Sequence, residues 1–74
     1  MNIVTYTAHI IQQELAKYYN KSPKKISEEQ IVDAMNTNKV GNYTLVVNNK
    51  PNYVEVYLKD KNGKQYNELT FIRR

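Results

Sequence analysis

Few side chains in this 74-residue chain could carry out covalent chemistry, and their spacing argues against it. Cysteine is absent, which removes a cysteine nucleophile, a disulfide framework and a Cys-based zinc site. His9 is the single histidine, for which a triad or a His-based metal site would need partners at defined geometry. Asp60-x-Asn62-Gly63 begins like a calcium loop. The further oxygen ligands and the closing glutamate are missing at the required spacing, so those residues read as turn chemistry. Glu55 and Glu68 could oppose one another on neighbouring strands, but exposed carboxylates lack the desolvation that acid–base work requires. Glu28 and Glu29 fall in the first turn of a predicted helix, where the helix dipole favours anions. No glycine-rich loop exists to cradle a phosphate. The expectation is a protein that is not an enzyme, with no cofactor and no metal.

Binding chemistry remains. The chain carries seven tyrosines and a formal net charge of +4. In residues 1–38 the lysines at 17, 21, 24 and 25 cancel Glu14, Glu28, Glu29 and Asp33. The whole excess therefore lies in residues 39–74, where Lys39, Lys50, Lys59, Lys61, Lys64, Arg73 and Arg74 outweigh Glu55, Asp60 and Glu68. A basic half can steer an anionic partner. Lysine is also the usual solubilising residue, and an A·T-rich genome encodes Lys, Asn, Tyr and Ile in abundance.

The elements that must position these residues follow from periodicity. Ala8, Ile11, Leu15 and Tyr18 or Tyr19 recur at helical spacing and predict an amphipathic helix over 7–20. Ile3, Val4 and Tyr6 before it could form a short extra strand at a sheet edge. Pro23 disfavours helical geometry at Ser22 and closes the helix region. Ser27 with Gln30 makes a capping box, flanked by Ile26 and Ile31 at the positions of a hydrophobic staple, and predicts a second helix with Ile31, Ala34 and Met35 as its buried stripe. The residues from Thr37 to Asn42 are too short and turn-rich for a recognition helix, which argues against a helix-turn-helix.

Tyr43–Val47, Tyr53–Lys59 and Tyr66–Ile72 each alternate with period two, separated by Asn49–Asn52 and Asp60–Gly63. That pattern predicts an antiparallel meander, with Asn62-Gly63 as the positive-φ pair of a tight hairpin. The fold class is α+β: a single domain over 1–74 in which two N-terminal helices pack on one face of a three-stranded meander. The predicted core is Ile11, Leu15, Ile31, Met35, Leu45, Val47, Val54, Val56, Leu58, Leu69 and Phe71. No apolar run reaches the ~18–20 residues of a membrane span, and the first residues lack the features of a signal peptide, so the expected compartment is the cytoplasm.

By strand parity the second sheet face presents Thr44, Val46, Tyr53, Glu55, Tyr57, Lys59, Tyr66, Glu68, Thr70, Ile72 and Arg74. Two helices cover only one side of the strands, so this side is expected to be open. The candidate binding set is Val46, Tyr53, Tyr57, Lys59, Lys61, Lys64, Tyr66, Ile72 and Arg74. Tyrosine buries large area at low entropic cost, and a Val46/Tyr57/Ile72 centre with a charged rim suits docking on a protein partner or on a second copy in a homodimer. The alternative is a nucleic-acid module in which tyrosines stack on bases while the hairpin lysines neutralise phosphates. The composition also suits a small accessory protein of a phage or mobile element, by association rather than by physics. Neither a membrane nor a small-molecule substrate is expected as a partner.

Overall fold

A computed structural model describes residues 2–72. Helix α1 spans Ile3–Tyr19, α2 spans Glu28–Thr37, and a short 3-10 turn at Pro23–Lys25 lies between them. Four strands follow, β1 (Lys39–Val40), β2 (Tyr43–Asn49), β3 (Tyr53–Lys59) and β4 (Gln65–Ile72), paired antiparallel in the order of the chain. The α+β expectation therefore stands, with one more strand than the alternation indicated. No helix among the described residues is long and apolar enough to cross a membrane.

The helices begin and end where local hydrogen bonding dictates. Asn2 caps α1, its side-chain oxygen accepting the Thr5 N–H at 2.8 Å. That cap draws Ile3, Val4 and Tyr6 into the helix, so the extra N-terminal strand does not form and α1 starts four residues earlier than expected. At the other end Asn20 takes the left-handed conformation (φ 55°), and the Lys21 N–H returns to the Ala16 carbonyl at 2.8 Å. The capping box of α2 is present: the Gln30 N–H donates to Ser27 Oγ at 3.1 Å and the Ser27 N–H to Gln30 Oε1 at 3.0 Å. Gln12 ties the connection down by donating from Nε2 to the Pro23 carbonyl at 3.0 Å.

The added strand, β1, is a two-residue arm folded onto β2 through Gly41-Asn42, with Val40 opposite Tyr43 and Lys39 opposite Thr44. Gly41 has φ +62°, and a Cβ placed on it would stand 3.0 Å from the Cγ and Cδ1 of Tyr18. The hairpin therefore needs glycine both for its turn and for its approach to α1. Val40 is fully buried. A Gly-Asn pair before an alternating run is itself a hairpin signal. It is masked here because only one residue of β1 is apolar.

In the sheet Leu45 faces Leu58, Val47 faces Val56 and Asn49 faces Val54. Leu45, Val56 and Leu58 form one cluster with Ile10, Ile11, Leu15, Ala16, Ile26, Ala34 and Val40. Ile31 and Met35 are only partly buried against it, as are Ile3, Tyr6, Tyr43 and Tyr66. Two expected core residues are not enclosed: Val47 is 43% exposed and Leu69 39%. The cluster follows β3 and the β1 end of the sheet, so the flanks beside Val56 stay uncovered. Phe71 is half-buried, its ring 5.9 Å from that of Tyr6.

Candidate functional site

The β3–β4 pairing shifts register between Val56 and Leu58: Val56 faces Leu69, whereas Leu58 faces Tyr66. Tyr57 alone thus opposes two residues, Asn67 and Glu68, which is a β-bulge. Asn67 supplies the required geometry with φ 56°, tolerated by a short polar side chain. Its carbonyl accepts the Tyr6 hydroxyl at 2.9 Å, pinning the bulge to α1.

One extra residue inverts every side chain before it relative to those after it. Beyond the bulge Leu69 and Phe71 share the helix face, while Thr70 and Ile72 share the other, as parity predicts. Before it Tyr66 lies with Leu58 on the helix face, and its expected place on the open face is corrected. Its ring meets Tyr43 edge-on at 5.3 Å, and the Lys64 ammonium lies 5.4 Å from the ring centroid. The proposed carboxylate pair is lost as well, since Glu55 faces Thr70 and Asn48 rather than Glu68. Asn48 Nδ2 donates to Glu55 Oε1 at 3.3 Å.

The helix-free face can be assembled row by row. Lys59 lies between Thr44 and Gln65, Tyr57 between Val46 and the bulge, Glu55 between Asn48 and Thr70, and Tyr53 beside Ile72. Tyr57 was expected to be an exposed contact residue but is only 9% exposed, whereas Ile72 is 70% exposed. Tyr53 and Val46 are half-buried. The face therefore has a filled centre and an apolar corner where β4 forms the sheet edge. Arg74 and Arg73 lie outside the described residues.

At the hairpin, Asp60 organises the turn. Its Oδ1 accepts the N–H groups of Lys64 and Asn62, each at 2.9 Å, and its Oδ2 accepts the Tyr66 hydroxyl at 3.2 Å. The hydrogen bond from the Lys64 backbone, then those from Asn62 and Tyr66, hold the Asp60 carboxyl below its ordinary range against the opposing pull of desolvation. Tyr66 is pushed the other way, first by desolvation and then by donating to Asp60. Gly63 takes positive φ (86°), but Asn62 does not, so the expected pair of left-handed residues is replaced by one. Lys59, Lys61 and Lys64 stand exposed around this turn.

A second surface escaped sequence reading. Ile3, Val4 and Thr7 of α1, Met35 and Asn38 at the end of α2, and Leu45 and Val47 of β2 line a groove of about 260 Å³. Periodicity marked Met35, Leu45 and Val47 as core, and read Ile3 and Val4 as a candidate edge strand instead. Leu45 and Thr7 are buried at its floor while Val4 and Val47 are exposed at its rim. That gradation depends on where the helices stop covering the sheet, which no local pattern encodes. Among the described residues, no group of three or more His, Cys, Asp or Glu side chains could hold a metal ion. No family model, curated protein or solved structure matches the chain.

Proposed function

We propose that the chain is a non-catalytic binding module that docks on a protein partner through the helix-free face of its sheet, along the line from Val46 and Tyr57 to Tyr53 and Ile72. The observation that carries this reading is the graded burial of that face, a filled Val46–Tyr57 centre leading to an Ile72 that is 70% exposed at the sheet edge. A dry centre with polar groups around it (Thr44, Asn48, Glu55, Lys59, Thr70) is the anatomy of a protein interface. Base stacking receives less support. Tyr66 is turned to the helix face and engaged with Tyr43 and Asp60, which takes it out of the stacking set.

The test places a photo-crosslinking residue at Tyr53 or Ile72, with Lys24 as control. Captured proteins are identified by mass spectrometry and rebound in purified form. The reading predicts one protein captured from both face positions, with binding weakened by Ile72→Glu. Equal capture from Lys24 and from the face would overturn it. So would salt-sensitive chemical-shift changes confined to Lys59–Lys64 on adding oligonucleotides, which would assign the chain to nucleic acid instead.

A further inference from the structure

β4 ends the sheet, and its outer edge meets no other strand among the described residues. The direction of its main-chain groups can be derived. The Asp60 N–H bonds the Lys64 carbonyl, so the even residues of β3 direct their N–H and C=O toward β4. Their partners Leu69 and Phe71 are thereby engaged, and the N–H and C=O of Thr70 and Ile72 point away from the sheet. An edge of this kind is a template for another strand. Natural edges are commonly guarded by lysine, proline or a bulge. Between Gln65 and Ile72 there is no lysine and no proline, and the one bulge, at Asn67–Glu68, leaves Glu68–Ile72 as a regular run.

Building on the reading that the helix-free face docks through its exposed corner at Ile72, we propose that a second copy of this chain binds at the adjoining β4 edge, β4 against β4 in antiparallel register with the two-fold axis at Thr70. This register pairs the regular run completely and stops at the bulge. Thr70 exchanges both main-chain hydrogen bonds with Thr70 of the other copy, and Glu68 pairs with Ile72. On the helix face Leu69 meets Phe71 of the other copy, and the reverse, so a Leu69 that is 39% exposed gains an apolar neighbour on each side of the axis. No carboxylate faces its own symmetry mate. The interface is isologous, because one patch complements itself.

The contact is small. Stable interfaces bury ~1,200–2,000 Å², and five paired residues flanked by Leu69, Phe71 and Ile72 fall short of that range. Each copy also carries a net charge of +4, so the two repel one another. The dimer is therefore concentration-dependent and tightens as salt screens the repulsion, the opposite salt response from nucleic-acid binding.

Sedimentation equilibrium of the full chain, from micromolar to millimolar and at two salt concentrations, should show the mass rising from 8.7 kDa toward the dimer value. Isotope-filtered NMR on mixed labelled and unlabelled protein should show an interchain Hα–Hα contact between Leu69 and Phe71. Thr70→Pro removes the outward donor at the axis, and Leu69→Lys puts a charge on each side of it. Each change acts twice, so each should weaken association by about tenfold or more while circular dichroism stays unchanged. Monomer at every concentration, or a dimer lacking the Leu69–Phe71 contact, overturns the proposal. Should Thr70→Pro fail to fold, Leu69→Lys and the interchain contact decide it. A monomer that still captures a partner through Tyr53 and Ile72 loses this dimer but keeps the function proposed above, whereas a dimer without such capture does the reverse.

Discussion

Comparing the β1–β2 turn with the β3–β4 turn allows two penalties of a glycine replacement to be measured apart. At Gly63 φ is +86° and an added Cβ would meet nothing within 4 Å, so Gly63→Ala registers backbone conformation alone. Left-handed geometry costs an L-residue ~1–2 kcal/mol, partly offset by the ~0.4–1 kcal/mol that alanine gains by restricting the unfolded chain. The expected net loss there is about 1 kcal/mol. At Gly41 φ is +62° and the added Cβ would meet three Tyr18 atoms, Cδ1 and Cγ at 3.0 Å and Cβ at 3.1 Å. Carbon atoms prefer ~3.5–4.0 Å, so the ring must rotate off its rotamer at ~0.5–1.5 kcal/mol. Rotation cannot carry the Tyr18 Cβ away, so the turn must also separate from α1 and loosen the fully buried Val40. Gly41→Ala should therefore cost about 2–3 kcal/mol, lowering Tm by about 10–20 °C in a domain of this size. Thermal and urea denaturation of both variants give the comparison, and Tyr18→Ala in the Gly41→Ala background should recover part of the excess. If Gly41→Ala proves no more destabilising than Gly63→Ala, the close approach of α1 to the turn is wrong.

Other expectations follow from the hairpin, the bulge and the core. The Asp60 carboxyl is held below its ordinary range, so its contribution to stability is present above the unfolded carboxylate pKa and is lost as pH falls through the depressed folded value. Urea midpoints of wild type and Asp60→Asn should differ most near neutrality and converge in acid; parallel curves would remove Asp60 from that role. Asn67→Gly should be neutral within about 0.5 kcal/mol, whereas Asn67→Val forces a β-branched residue into the left-handed region and should cost at least ~1–2 kcal/mol by thermal denaturation. Val56→Ala removes two fully buried methyl groups and should cost about 2–3 kcal/mol, while Val47→Ala on the uncovered flank should cost under about 1 kcal/mol.

The protein's working surface, on this view, is shaped by one irregularity. Without the bulge Tyr66 would join Tyr53 and Tyr57 on the open face beside the lysines of the hairpin, a surface suited to stacking on bases. With it, Tyr66 fastens the Asp60 turn to Tyr43 and the core, and β4 beyond the bulge continues as a regular edge run with no lysine or proline from Glu68 to Ile72.

The sequence by itself determined what depends on near neighbours. The capping box at Ser27 and Gln30, the end of α1 near Asn20, the antiparallel pairing of β2 with β3 and the burial of Ile11, Leu15, Leu45, Val56 and Leu58 all follow from contacts within a turn or from a simple period. What it left open was either weakly encoded or dependent on distant groups. Asn2 capping Ile3–Tyr6 into α1 is local but weakly encoded, because asparagine suits loops as well as caps. The bulge at Asn67 is one inserted residue whose position is set by the pairing with β3 and the Tyr6 hydroxyl sixty-one residues away, so strand parity, correct on either side of it, reversed the face of Tyr66. Val47 and Leu69 carry the right alternation for a core, yet whether an apolar residue is enclosed depends on where two helices come to rest across the sheet. Only the tertiary structure decided that, because burial is a property of what lies opposite a side chain and not of the strand that carries it.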